Sequence, residues 1–271
     1  MNPQFCTSIL AIALLLGVAF ATLDDAHNAV PFSYNGELNG TKHWGKLSPS
    51  FQACESGNHQ SPVNIITSQA LLNKTLGPLY TNYSGAADAT IINSGSVIGV
   101  HFEGYVGDLW TEGKKYSLKQ IHWHTPAEHQ IDGKIYPAAL HVVHEADDGS
   151  VAVVASIFNY GRQDPLIQEI KPYLNKLAGP NTKGNKIPIG KLDTKYLRQN
   201  TQRYYRYRGS LTTPPCTEAV LWSVLPEIRS ISKKQVKALR APLALDCKSN
   251  ARPLQPLGNR TIQFYNSGSN N

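Results

Sequence analysis

Short apolar runs separated by turn signals recur along the chain, at Ala89–Ile92, Ser96–Phe102, Ser117–His124, Ala138–Val143, Val151–Phe158 and Ala219–Val224. Their lengths are those of β-strands. Val151–Phe158 (VAVVASIF) is apolar at both parities, which predicts a central strand covered on both faces. Arg203–Arg208 (RYYRYR) puts Arg206 and Arg208 on one face and Tyr205 and Tyr207 on the other, the pattern of an ordinary half-buried strand. Two segments change period. Asp164-Pro165 supplies an N-cap and a first-turn proline; Leu166, Ile167, Ile170, Leu174 and Leu177 then follow at helical spacing until Gly179 ends the run. Ser232 and Gln235 form a capping-box pattern ahead of Val236 and Leu239. The pattern predicts a mainly β chain with a few short peripheral helices. No linker interrupts residues 31–265, which read as one domain between a flexible arm (22–30) and a polar tail (266–271).

Composition narrows the class. Of 271 residues, 17% are charged, with 21 Gly, 17 Pro and 13 Tyr. That charged share is below the roughly 25% of an average soluble domain, and it excludes helical bundles and coiled coils. The net charge of +7 admits an anionic partner, but the densest basic run is the strand-like RYYRYR, so no nucleic acid is expected. Ile9–Phe20 is apolar, of signal-peptide length, and ends in the small-x-small pattern Ala19-Phe20-Ala21. Residues 1–21 therefore read as a cleaved signal peptide, with an uncleaved anchor as the alternative. After cleavage no stable membrane insertion is expected. Sequons at Asn39, Asn73, Asn82 and Asn259 are glycosylation candidates. Removing Cys6 with the signal leaves Cys54, Cys216 and Cys247, which allows one disulfide and one remaining thiol, with the pairing open.

The chemistry concentrates in Gln120–Glu145, where five of the nine histidines fall. His122 and His124 are two apart, hence on one face of a strand and about 7 Å apart along it. Asp132-Gly133 is a two-residue hairpin signal. Reflection through its centre sets His124 opposite His141, and any even slip keeps the face. Three histidines from two neighbouring strands can then converge, the composition of a catalytic zinc site with one open position. Pro126 cannot donate to a ladder, so the hairpin is interrupted or bulged there. By parity His144 points to the other face, as does His129 if the strand continues; both read as structural hydrogen-bonding residues. Glu128 has the parity of the metal face. His141-Val-Val-His144 lacks the Glu of a helical HExxH site, and no Pro-Cys-x-x-Cys follows, which disfavours a zincin protease and a zinc deaminase. The alternative is a cluster of core histidines.

Further motifs carry a resemblance. Tyr34 in FSYNG, His43-Trp44-Gly45, Gln60-Ser61-Pro62-Val63-Asn64-Ile65, the Gln120–His144 segment, Tyr204-Tyr205-Arg206-Tyr207, Gly209–Glu218 (GSLTTPPCTE) and Asn250–Pro256 (NARPLQP) occur in that order. From about Phe32 to Phe264 the chain resembles the α-class carbonic anhydrases, of the secreted plant type. The resemblance implies a large, mostly antiparallel, twisted β-sheet with Zn2+ in a central cone. It implies reversible hydration of carbon dioxide to bicarbonate by a zinc-bound hydroxide, with His122, His124 and His141 as ligands. Carbonic anhydrases are themselves the reference case for a three-histidine zinc that brings bound water to a pKa of about 7. Thr212 falls on the gatekeeper threonine, bonded to Glu128, and Thr213 on the bicarbonate site. Tyr34 falls on the residue that helps order the water chain. Val143, Val154, Leu211 and Trp222 fall on the apolar carbon dioxide pocket, although the residues alone would read as core. Gln120 and Asn250 fall on supports of two ligands, Asn250 through its side chain. Cys54 and Cys216 fall on the disulfide of extracellular members, bracing the loop that carries Thr212.

Two departures stand out. Ala139 replaces the acidic residue that normally accepts a hydrogen bond from the third ligand, and such a loss typically costs roughly 10–100-fold in metal affinity or activity. Ser96 occupies the position where the fastest members carry a proton-shuttling histidine, and serine does not titrate near neutrality. The alternative function implied by the same resemblance is a secreted storage or defence protein with weak or no hydratase activity, as in the tuber dioscorins and the nectar proteins resembling them. The expected partner is the small-molecule substrate; monomer and dimer are both open. The expected location is the apoplast or extracellular space, with vacuole or plastid reached by the same secretory route as alternatives.

Overall fold

The computed structural model describes residues 30–179, 182 and 185–268. The signal-peptide reading, nearly all of the expected arm and the last three residues of the expected tail lie outside the described residues. Each predicted apolar run forms a strand. The principal ones are β1 (Ala86–Asn93), β2 (Ile98–Phe102), β3 (Lys114–His124), β4 (Ala138–Glu145), β5 (Val151–Tyr160), β6 (Lys186–Asp193), β7 (Arg203–Ser210), β8 (Glu218–Val224) and β9 (Gln263–Asn266). They belong to one 13-stranded sheet in the order β6-β1-β2-β3-β4-β5-β8-β7-β9, with Leu71–Leu72 beyond β9. The sheet is mixed but mostly antiparallel: β5 runs parallel to β8 and to Arg229–Ile231, and β9 to Leu71–Leu72. Asn266, expected to open the polar tail, instead pairs with Arg203 at the end of β9.

β5 is central, between β4 and β8, and Val151–Phe158 is buried throughout. Its alternate residues feed two cores. Ala152, Val154 and Phe158 join a cluster with Trp123, Leu140 and Val142, which is capped by a helix, α1 (Pro165–Leu177). Val153, Ala155 and Ile157 join Ala139, Tyr207 and Trp222 on the opposite face. The helix forms as its sequence predicts: Asp164 accepts from the Ile167 N–H at 3.1 Å, and Leu166, Ile167, Ile170, Leu174 and Leu177 are all buried. A second helix, α2 (Lys233–Arg240), carries the complete capping box. The buried Gln235 also ties the two helix starts together, donating to Asp164 O at 2.7 Å and accepting from Asp164 N at 2.9 Å.

β7 departs from the half-buried expectation. Tyr204 through Tyr207 are all buried, because β8 and β9 flank the strand and both faces are covered. Arg206 is 3% exposed. Its guanidinium donates to Glu112 Oε1 at 2.9 Å and Thr111 Oγ1 at 2.8 Å, which satisfies a charge that burial would otherwise penalise. Arg208 stays exposed and bonds the other Glu112 oxygen at 2.7 Å.

The hairpin register is shifted by two from the sequence reading. His122, not His124, stands opposite His141, and His124 faces Ala139. At the tip the expected reflection holds: Ile131 bridges Lys134, and Asp132 and Gly133 take positive φ of 50° and 74°. The offset arises between tip and ladder. Pro126 has no N–H to give, and β3 ends at His124. Gln130–Ile131 leaves the main sheet and pairs with Asn64–Ile65. An even slip preserves the face, so the three histidines still converge.

Candidate metal centre

His122 and His124 project from one face of β3, and His141 from β4 directly opposite His122. Ring centroids are 5.1 Å apart for His122–His124, 5.1 Å for His122–His141 and 4.8 Å for His124–His141. One nitrogen of each ring lies within 4.8 Å of the others. His122 Nδ1 meets Gln120 Oε1 at 2.9 Å, so that nitrogen carries the proton and Nε2 keeps its lone pair. His124 Nδ1 meets the Asn250 carbonyl at 2.6 Å with the same consequence. The support from Asn250 thus comes from its main chain, not from its side chain as expected. The side chain accepts from Thr125 N at 2.7 Å and donates to the Ser96 and Trp123 carbonyls, holding the end of β3 in place.

The donor set fits zinc. His122 Nε2 and His141 Nδ1 are 3.3 Å apart. Two nitrogens at the usual zinc distance of a tetrahedral site stand about 3.3 Å from each other. His124 Nε2 is buried and has no hydrogen-bond partner among the described residues. Burial, then the neighbouring histidines, pushes the pKa of His122 and His141 well below the ordinary value, which keeps them in the neutral form that binds metal.

Glu128 stands where parity placed it. Its Oε2 is 3.4 Å from His124 Nε2 and 4.0 Å from His141 Nδ1, and its Oε1 accepts from Arg252 N at 3.0 Å. Burial raises its pKa, against opposing contributions from His124, the Arg252 amide and the neighbouring Thr212 side chain. Arg252 went unassigned from sequence. Its guanidinium also donates to Gln60 Oε1, Ser61 O and Cys54 O, tying Glu128's support to the disulfide segment. Such a contact spans 124 residues through a main-chain N–H, and only its place in the NARPLQP motif hinted at it.

Cys54 and Cys216 are bonded, with Cα atoms 5.0 Å apart, and Cys247 keeps a buried thiol. The bridge holds a loop closed by Leu211 N to Thr217 O at 2.9 Å and Cys216 N to Thr213 O at 2.9 Å. That loop presents Thr212, which is buried, and Thr213, which is half-buried. The Trp222 indole donates to Ser210 O at 3.0 Å, and its ring lies 4.9 Å from that of His141. Val143 and Leu211 pack on the same apolar cluster.

Val154 does not belong with them. His141 pairs with Ala155, and Val143 with Val153, so Val153 shares the site face and Val154 points into the opposite core. Parity counted from His141 could have found Val153. His129 also differs from expectation. β3 does not continue to it, and its ring lies on the site side, 6.2 Å from that of His141 and 4.7 Å from Trp222. It is still a hydrogen-bonding residue, with Nε2 at 2.6 Å from Tyr207 Oη, and burial lowers its pKa to about 3. His144 occupies the other face as predicted, 2.7 Å from Tyr83 Oη, with its pKa lowered to about 4 by burial.

Tyr34 is buried, and burial together with the Glu128 charge raises its pKa well above the ordinary value. Ser96 is buried, its hydroxyl 3.1 Å from that of Ser94. Asn82 and Asn259 are exposed, whereas Asn39 and Asn73 are half-buried. Among the described residues no helix is long and apolar enough to cross a membrane.

The sequence profile described as eukaryotic-type carbonic anhydrase matches residues 39–266. Dioscorin dioA3 of Dioscorea japonica is 35% identical over 96% of this chain and 95% of its own length. Alpha carbonic anhydrase 7 of Arabidopsis thaliana is 37% identical over 86% of this chain and 84% of its own. The crystal structure of a dioscorin complexed with ascorbate superimposes with a TM-score of 0.83 at 36% identity, covering 87% of this chain and 98% of that one.

Proposed function

The chain belongs to the eukaryotic-type carbonic anhydrase family, and on that premise we propose that it catalyses the reversible hydration of carbon dioxide to bicarbonate, with zinc held by His122, His124 and His141. The observation that supports the reading most strongly is the 3.3 Å separation of His122 Nε2 and His141 Nδ1 on rings kept neutral by burial. Bound there, zinc would act as a Lewis acid that makes water nucleophilic near neutral pH.

The chain's own residues do the rest. In its ionised form Glu128 can only accept, so the Thr212 hydroxyl donates to it and turns its lone pairs toward the histidines. Thr212 Oγ1 then accepts a hydrogen bond from a proton-bearing oxygen in one orientation only, which aims that oxygen at the substrate. Val143, Val153, Leu211 and Trp222 form an apolar wall suited to carbon dioxide, which offers little to hydrogen-bond. Thr213 lines the bicarbonate side, and Tyr34 presents a hydroxyl to ordered water. The disulfide fits an oxidising compartment, and the proposed location is the secretory pathway.

A second reading, a storage or defence protein with little hydratase activity, draws on one observation: His141 Nε2 is buried with no hydrogen-bond partner among the described residues. The two readings separate experimentally. His122→Ala and His141→Ala should each lose zinc and carbon dioxide hydration together. Full zinc content with unchanged turnover in either variant would refute the ligand assignment.

A further inference from the structure

Three aromatic side chains stand in solvent on one surface far from the histidines. Tyr80 is 62% exposed, Trp110 43% and Tyr105 70%. Tyr80 and Trp110 lie directly opposite each other on the antiparallel segments Tyr80–Thr81 and Asp108–Thr111, hence on one face. Tyr105 joins them by donating to Asp108 Oδ2 at 2.6 Å, two positions before Trp110. The opposite face of the same segments is core, filled by the cross-strand pair Leu109 and Tyr116. The outward rings do not belong to that core, and exposed aromatic surface grouped in this way marks a contact site. Trp110 pairs with Lys115, which is about 20 Å along β3 from His122.

The sequon Asn82-Tyr83-Ser84 opens on this same face. Asn82 follows Tyr80 by two, and its N–H donates to Asp108 O at 3.1 Å, which makes Trp110 its diagonal cross-strand neighbour. Its Oδ1 accepts from the Asp108 N–H at 3.2 Å. That bond fixes the amide plane and leaves Nδ2 as the atom able to carry a sugar on an exposed side chain. Asn73, by contrast, is half-buried and donates from Nδ2 to Gln263 Oε1 at 3.1 Å. The hydrogens on one face of a pyranose carry partial positive charge, and the faces of Tyr and Trp rings are negative. We propose that Asn82 carries an N-linked glycan whose first N-acetylglucosamine packs on Tyr80 and Trp110, and that this sugar, not another macromolecule, covers the patch. In the modification, Nδ2 bonds to the anomeric carbon of the sugar. The bond from that carbon to a lipid diphosphate carrier breaks, the diphosphate leaves with the electron pair, and Nδ2 releases one proton. Oδ1 remains an acceptor, so its bond to Asp108 survives. The proposal rests on the secretory reading and is independent of zinc.

The full chain is expressed with its own N-terminus in eukaryotic secretory cells held at the high-mannose stage. Peptide mapping reads occupancy, and magnetic resonance spectra of the isotope-labelled glycan read ring-current shifts. Ser84→Ala removes the sequon while keeping Asn82 and its bonds to Asp108. The expected result is an occupied Asn82 whose first sugar has ring protons shifted upfield, with the shift reduced in Trp110→Ser and in Tyr80→Ser. S84A should lower the thermal unfolding midpoint by about 2–4 °C. It should lower it by less than half as much when W110S is already present, because interacting sites are not additive. Trimming the glycan to its first sugar should keep the wild-type midpoint. Should W110S fold poorly, Y80S carries the same comparison. A secreted chain with Asn82 unmodified, an occupied Asn82 with unshifted sugar protons, or an S84A effect equal in every background would overturn the proposal and leave the zinc reading intact. A chain that never enters the secretory route would overturn the proposed location and the proposal with it.

Discussion

Ser96 is the residue where rate and binding separate. It is buried, its hydroxyl is held against Ser94, and it cannot carry a proton near neutrality. On the proposed function, export of the proton must use solvent buffer or another group. Turnover at saturating carbon dioxide should rise with the concentration of an imidazole-type buffer, while kcat/KM, which reports capture before the proton leaves, should not. Ser96→His should raise turnover at low buffer and flatten the dependence, because a group with a pKa near the working pH relays protons best. High turnover at low buffer, insensitive to both changes, would refute this account. At the same scale, Val153 rather than Val154 faces the site. The resemblance implies Val154, and the register counted from His141 puts Val153 there instead.

Among the elements, the loop carrying Thr212 depends on the Cys54–Cys216 bridge. The two cysteines are 162 residues apart. The chain-entropy argument gives such a cross-link up to about 5 kcal/mol of stabilisation, less whatever structure the denatured chain keeps. Replacing both cysteines with serine should lower the unfolding midpoint in urea sharply and reduce turnover more than zinc content, since His122, His124 and His141 sit on β3 and β4 and not on the loop. An unchanged midpoint and turnover would remove the brace from the mechanism. Elements were also where the sequence was most legible. Helix α1 was readable from its cap, its proline and its five apolar positions because a surface helix signals locally. The convergence of the histidines was readable from parity. The hairpin register was not, because the end of β3 at His124 and the departure of Gln130–Ile131 to Asn64–Ile65 are tertiary events. The same holds for the Asn250 carbonyl and the Arg252 amide, main-chain groups that any residue would carry and that act across more than a hundred positions.

At the scale of the whole molecule, a central strand buried on both faces divides two cores, and the histidines open onto the face shared by Ala139, Val153 and Trp222. The three histidines stand on two adjacent strands of that sheet, and a site built on strands is held more precisely than one built on loops. On the proposed function, this site binds one zinc and hydrates carbon dioxide with it. The most direct measurement is carbon dioxide hydration by stopped flow, as zinc is returned stepwise to chelator-stripped full-length protein. The account predicts that activity rises in proportion to added zinc and saturates at one ion per chain. Full zinc occupancy without hydration, or hydration that ignores zinc altogether, would contradict it.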